Sequence, residues 1–215
     1  MIHFVVMEIN KKITAEFFKT EQNNEPVRDF LKSLESEDKK SVGADIMAVE
    51  MSWPIGYPRV RKLDTDLWEV RTNISDNRIC RVLFTISGKK MILLHGFIKK
   101  SQKTPKDDLD LGKKRPCFRR KEMNKEYIGS SFDDFLEEEN IAVEVKNEAI
   151  KRLISYNLLD EMKKQNINKT EMAKKMSTSR AALDRLLNPY NDSVTLATLT
   201  KAANVLGKKL VLQLQ

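Results

Sequence analysis

Two helical patterns followed by four short, closely spaced β-rich runs most constrain the fold of this chain. Apolar residues recur at helical spacing from residue 27 to residue 34, and Ser36 is predicted to start a second helix. The strand-like runs are residues 59–63, 67–72, 79–86 and 90–98. Because only short turn-type segments separate these runs, neighbouring strands should pair antiparallel, as a meander.

The remainder of the chain is predicted to be mostly helical. Residues 2–9 have the composition of a strand, and residues 209–212 that of a final strand. From residue 123 to residue 206 the pattern is almost entirely helical, and Gly207 stands where a helix would end. The expected fold class is α+β, with an antiparallel sheet and helices first and an all-α domain after them.

Charge is divided into three blocks along the chain. Residues 1–122 carry 25 Lys and Arg against 18 Asp and Glu, which gives +7. Residues 123–148 carry 2 basic against 8 acidic residues, which gives −6, and residues 149–215 carry 12 against 5, which gives +7. Two basic blocks around an acidic one suggest two surfaces for polyanions with an internal counter-charge, although such runs are often only solvated surface.

Composition argues against several classes of protein. No apolar stretch is long enough to span a bilayer, and no signal-peptide pattern opens the chain. Cys80 and Cys117 form no metal-ligand spacing, and they are expected to be reduced thiols in a cytoplasmic protein. We expect no metal and no cofactor, because neither a ligand cluster nor a phosphate-binding glycine loop is present.

Cations recur along the predicted sheet. Arg71 and Arg81 lie on neighbouring runs, where their guanidinium groups could converge on a phosphodiester. His95 and Lys99 fall on one face of the last run, and either is a candidate for proton transfer. Further RNA-binding candidates are Arg61, Lys62, Lys100 and Lys103. Plainer interpretations are a structural histidine and arginines that pair across strands with Glu69.

Three segments of this region, residues 67–71, 81–84 and 94–105, resemble the RelE/HigB-type toxin family, and the resemblance spans about residues 15–112. It implies a compact antiparallel sheet flanked by N-terminal helices. It also implies a metal-independent endoribonuclease that cuts mRNA in the ribosomal decoding site. In that activity Arg71 and Arg81 would orient the phosphate, and His95 or Lys99 would transfer the proton.

The C-terminal region has the spacing of two short helices joined by a tight turn. Ala173 is small enough for the helices to pack closely, and the apolar seam comprises Met172, Met176, Leu183 and Leu186. Arg180 would then be exposed at the start of the second helix, where it could contact guanine through two hydrogen bonds. The DNA-binding candidates are Lys169, Thr178, Ser179, Arg180, Asp184 and Arg185.

Residues 171–173, 179–187 and 195–199 resemble the Cro/repressor-like family, and residues 129–136 resemble the opening of HigA-type antitoxins. Together these resemblances cover residues 123–215. They imply an antitoxin that binds operator DNA as a homodimer and represses its own gene. The plainer interpretation is a small helical bundle with a basic surface.

The combined interpretation is a fused toxin–antitoxin protein with mRNA on the ribosome and operator DNA as partners. The expected domains are a toxin at 1–121, an acidic linker or antitoxin segment at 122–148 and a DNA-binding domain at 149–215. The acidic block should silence the toxin through Phe132 and Phe135, unless it is only a solvated spacer. The alternatives are a transcriptional regulator with an inactive toxin-like domain and a general RNA-binding protein without catalysis.

Overall fold

The computed structural model describes residues 10–54, 60–99, 107, 110–112, 125–191 and 194–209. The helices are α1 Pro26–Lys32, α2 Ser36–Ser52, α3 Phe132–Glu138, α4 Ala142–Lys164, α5 Lys169–Lys175, α6 Arg180–Leu187 and α7 Leu196–Val205. The strands are β1 Thr14–Phe18, β2 Val60–Asp64, β3 Leu67–Asn73, β4 Ile79–Ser87, β5 Lys90–Lys99 and β6 Ile128–Ser131. The chain divides into two compact units, one of which is Lys11–Asn147 and the other of which contains Glu148 and the residues after it.

The first unit, Lys11–Asn147, is built on a six-stranded mixed sheet. The strand order is β2-β3-β4-β5-β1-β6. Strands β2 to β5 form the predicted antiparallel meander, and α1 and α2 begin where the sequence indicated. The prediction of a purely antiparallel sheet is wrong, because β1 pairs parallel with β5. Strand β1 was not identified as a strand from the sequence.

One face of the sheet, here called the helical face, packs against the helices. The Phe30 ring of α1 lies over Gly96, where an added Cβ atom would stand 2.3 Å from the ring. Trp53, just after α2, contacts the rings of Trp68 and Phe84 at centroid distances of 5.5 and 5.6 Å. Burial between sheet and α2 raises the pKa of the Cys80 thiol, and the nearby carboxylates of α2 reinforce this shift.

The acidic segment also packs on the first unit. Strand β6 pairs antiparallel with β1, which contradicts the prediction that residues 123–206 are almost entirely helical. The Ser131 hydroxyl accepts the Asp134 N–H and thereby caps α3. The Phe17 ring of the helical face then meets the rings of Phe132 and Phe135, with centroids 6.1 and 5.6 Å apart.

Ion pairs and close packing surround those aromatic contacts. Cations from the segment before β1, from α1 and from α2 pair with acids of this segment: Lys11 with Asp133, Arg28 with Glu138 and Lys39 with Glu139. At Gly43 of α2, an added Cβ atom would lie 3.1 Å from Val145. Buried aromatic contacts, together with these ion pairs, hold the acidic segment to the helical face.

In the second unit, from Glu148 onward, each regular element that the structure describes is a helix. Met172, Met176, Leu183 and Leu186 are buried in one cluster, as the seam prediction required. The small Ala173 is buried too. Gly207 has a φ of +67°, a left-handed conformation that glycine adopts without strain, and it follows the end of α7 as predicted.

Some expectations lie outside the described residues. These are the strand at residues 2–9, the junction at 113–122 and most of the final strand at 209–212. Asp107 and residues 110–112 are helical. Within the described ranges, no helix has the length and apolar character needed to cross a membrane.

Candidate nucleic-acid interfaces

The second face of the sheet, here called the cationic face, gathers most of the predicted RNA-site positions. Gly96 faces α1, so its neighbours His95 and Phe97 point to the opposite side. Strand register places the cationic-face residues in rows across β2 to β5. The first row is Arg61, Glu69, Leu83 and His95, and the second is Arg71, Arg81 and Phe97.

Arg71 and Arg81 are direct partners across β3 and β4, but their environments differ. The Arg71 side chain keeps 28% of its surface exposed, whereas Arg81 keeps 3%. The Arg81 Nη1 atom donates to the fully buried carboxylate of Glu69. The Nε atom of Arg71 lies 3.9 Å from the other carboxylate oxygen. Of the two arginines expected to orient phosphate, Arg71 is therefore the one that solvent reaches.

His95 and the position of Lys99 lie on the same face. The His95 ring is half-buried and stacks on Phe97, with 5.6 Å between centroids. Lys99 is in register with Ile79 at the end of β5. Gly112 packs against the centre of this face, because an added Cβ atom would stand 2.7 Å from Leu83. The backbone of the short helical stretch at 110–112 thus lies directly on the sheet there.

Of the four RNA-binding candidates, Arg61 belongs to this group and Lys62 does not. Lys62 follows Arg61 on β2 and therefore points to the helical face, where its Nζ atom lies 5.8 Å from the centroid of the Trp68 ring. Arg61 is exposed on the cationic face. Lys100 and Lys103 lie outside the described residues.

In the second unit, the predicted DNA-binding residues lie close together on α5 and α6. Thr178, Ser179, Arg180 and Arg185 are exposed, and Lys169 and Asp184 are half-exposed. The Lys169 Nζ atom lies 2.7 Å from Asp184 Oδ1, and this hydrogen bond lowers the pKa of the Asp184 carboxyl. The pairing joins the start of α5 to the middle of α6.

Arg180 is more exposed than Lys169 in that group, at 62% against 43% of the side chain. Its Nη1 atom donates to the Thr170 hydroxyl at 2.9 Å, and its Nε atom lies 3.9 Å from Asp184. Ser179 uses its hydroxyl to cap α6, because it accepts the Ala182 N–H at 3.1 Å. Arg180 is thus held at the start of α6 with its side chain 62% exposed.

Two buried carboxylates, those of Glu69 and Glu50, were not identified from the sequence as groups that hold nearby cations. Glu69 appeared only as a plain cross-strand partner, although the Glu-x-Arg spacing on β3 opposite an arginine was a usable signal. Glu50 lies in the last turn of α2, and its carboxylate accepts from Lys11 and from the Ala15 N–H. Burial raises the pKa of Glu50 to about 7. No local pattern marks Glu50, because its burial depends on residues brought from β1.

Chemically, the cationic face offers the part-exposed guanidinium of Arg71 on β3 and, two strands away on β5, the imidazole of His95. Among the described residues, no three His, Cys, Asp or Glu side chains are grouped as a metal site. The helical surface of α5 and α6 offers an exposed guanidinium with adjacent hydroxyl groups. Both arrangements suit polyanions.

Comparison with known proteins supports part of this picture. Residues 29–116 match the family model described as Phage derived protein Gp49-like (DUF891), which is a RelE/toxin-like family. The matched residues run from α1 past the end of β5 and contain all strands of the meander. No curated protein matches the chain. The family match supports a toxin-type domain in the first unit.

Proposed function

We propose that this chain is a fused toxin–antitoxin protein whose first unit cleaves mRNA on ribosomes and whose second unit binds operator DNA. The observation that carries the first half is the placement of Arg61, Arg71 and His95 on one sheet face. That face lies within the residues matched to a toxin-like family. Exposed guanidinium groups in fixed register suit a phosphodiester backbone.

The proposed cleavage needs only groups that the chain supplies. A ribose 2′-OH attacks the adjacent phosphorus, its proton passes to His95 or Lys99, and the 5′ oxygen leaves and takes up a proton. Arg71 contacts the non-bridging oxygens and stabilises the charge that develops on them. Arg61, one row away, contacts a neighbouring phosphate.

We assign the neutralising role to the acidic segment, residues 125–147. Its anchors Phe132 and Phe135 pack on Phe17 of the helical face, not on the cationic face. Neutralisation would therefore act from the helical side and the β1 edge of the sheet, where the bulk of the segment obstructs docking. The ion pairs of Lys11, Arg28 and Lys39 also remove three cations from the first unit's surface.

The decisive test compares the full chain with a fragment of residues 1–121. Growth arrest and 3′-truncated mRNA are expected from the fragment and not from the full chain. Arg71→Ala in the fragment should abolish both effects. Because the cut removes β6 and α3, a full-length Phe132→Ala/Phe135→Ala variant serves as the second release form. Folded release forms that leave mRNA intact would refute the nuclease assignment.

The second half rests on the exposed group around Arg180 on α5 and α6. Two such units on a two-fold axis would read a palindromic operator, because one recognition helix contacts too few base pairs. The test is selection of duplexes from a random pool by the full chain. Recovery of a palindromic site whose preference disappears with Arg180→Ala supports the assignment, and recovery of no consensus contradicts it.

The second candidate is a DNA-binding regulator whose toxin-like unit is inactive. The burial of Arg81 against Glu69 favours it, because this pairing withdraws one expected cation from the RNA surface. On this alternative, operator binding persists while both release forms, shown to be folded, leave mRNA uncut.

A further inference from the structure

Two arginines directly oppose each other on the cationic face. Arg71 and Arg81 share a register position on adjacent antiparallel strands, where the Cβ atoms of partners are about 5 Å apart. Like charges placed in this way repel each other and destabilise the sheet. A counter-charge on the same face is therefore needed, and Glu69, two residues before Arg71, stands in the next row.

Glu69 contacts both guanidinium groups, each through a different oxygen. Oε2 accepts from Arg81 Nη1, and Oε1 faces Arg71 Nε at 3.9 Å. The carboxylate is fully buried, so solvent does not compete for it. The three side chains form a line of charge from the buried Arg81 through Glu69 to the part-exposed Arg71.

Stability alone is a weak reason for this buried pair. Removing two charges from water is unfavourable, and apolar residues of similar volume often replace a buried ion pair without loss of stability. The 3% exposure of the Arg81 side chain also leaves no surface through which a phosphate could contact its guanidinium. The pair is better explained by what it does to the neighbouring exposed cation.

We propose that Glu69 is a positioning residue that holds the guanidinium of Arg71 toward RNA, and that Arg81 acts through Glu69. The inference rests on the proposed RNA-cleaving function and reassigns Arg81 from phosphate contact to support. Arg71 then keeps its Nη atoms for the phosphate while its Nε atom lies 3.9 Å from the carboxylate.

The first experiment needs no catalytic activity. The full chain is labelled with ¹⁵N-arginine, and solvent exchange of the Arg71 Nε–H is measured by NMR, with the signal assigned from Arg71→Lys. Glu69→Gln should shift this signal and accelerate its exchange by about threefold to fivefold, as expected for loss of a partly exposed ion pair. The signal of Arg78, which pairs with Asp38 at 2.9 Å, should not move in the same sample.

Two further variants separate positioning from folding. Glu69→Gln combined with Arg81→Met leaves no unpaired buried charge, so it remains informative if Glu69→Gln alone does not fold. It should accelerate Arg71 exchange to the same extent. Arg81→Met alone should slow it, because Glu69 then turns to Arg71.

The second experiment measures cleavage in the release form with Phe132 and Phe135 changed to Ala. Glu69→Gln should lower kcat at least tenfold and leave KM unchanged or smaller, because the face gains one net positive charge while Arg71 loses its orientation. Glu16→Gln is the matched control: Glu16 pairs with Lys90 at 2.8 Å, and its loss adds the same charge without touching Arg71. It should leave kcat unchanged.

The outcomes are distinguishable. An Arg71 signal that is unmoved in both Glu69 variants overturns the inference, whatever the cleavage result. Arg81→Met could also lose as much RNA affinity as Arg71→Ala while its Arg71 signal stays unmoved. That result would show that Arg81 contacts RNA, and it would overturn the inference too. A shifted Arg71 signal in a release form that cuts no mRNA supports the positioning contact and refutes the proposed nuclease instead.

Discussion

Replacing Glu50 by Gln should stabilise the first unit at alkaline pH relative to the natural chain. The Glu50 carboxylate is fully buried at the end of α2, with Lys11 Nζ 3.0 Å away and the Ala15 N–H at 2.6 Å. Burial raises its pKa, while the charge of Lys11 and these hydrogen bonds oppose that shift in part. Gln keeps an oxygen for the Ala15 N–H and removes the ionisation.

The magnitude follows from proton linkage. The pKa rises from 4.5 to about 7 on folding, so the stabilisation that Glu50 contributes when protonated is present below pH 4.5 and is lost as the pH rises through 7. A shift of this size corresponds to about 3 kcal/mol in the free energy of unfolding, of which about 2.5 kcal/mol is lost between pH 5 and pH 8. With an ordinary urea dependence, that loss is about 1–2 M in the unfolding midpoint.

Tryptophan fluorescence provides the assay, because the chain's two tryptophans, Trp53 and Trp68, both lie in the first unit. Urea unfolding of the full chain is followed from pH 5 to pH 8, and the Glu50→Gln free energy is subtracted from that of the natural chain. The difference should fall with rising pH. Glu37→Gln, on the exposed first turn of the same helix, should give a flat difference. A flat or rising difference for Glu50→Gln would refute the reasoning.

Three other predictions follow from burial and exposure. Phe135→Ala, at a buried anchor, should weaken the packing of the acidic segment on the rest of the first unit by about 3–5 kcal/mol, whereas Val143→Ala at a 70% exposed site should change it by less than about 0.5 kcal/mol; chemical denaturation compares them. In a DNA titration, Arg180→Ala should lose its preference for a selected duplex over a random one, while Lys169→Ala should weaken binding to both duplexes. If Arg180→Ala lost equal affinity for the two duplexes, the assignment would be contradicted. Arg81→Ala should lower the unfolding free energy by about 3–5 kcal/mol, because the buried Glu69 carboxylate loses its closest cation and keeps only Arg71, at 3.9 Å; unchanged stability would contradict this reasoning.

Local sequence patterns were enough to predict the helices and strands that pack against elements close to them in the sequence. The meander from β2 to β5 was predictable because short turns force adjacent strands to pair, and α5 and α6 because apolar residues repeat at helical spacing. Strand alternation also predicts that Arg61 and Lys62 point to opposite faces. The exposed residues at the start of α6 were predicted for the same reason, because residues on the side of a helix opposite its buried apolar seam face solvent.

Only the tertiary structure decided which face of the sheet carries helices and which groups are buried. Strand β1 is parallel to β5, and β6 adds to its free edge from more than a hundred residues away, pairings that no short window of sequence contains. Arg71 and Arg81 look alike in sequence, yet one is exposed and the other is buried against Glu69. Burial depends on atoms contributed by distant segments, so side chains of the same type acquire different chemistry only when the chain has folded.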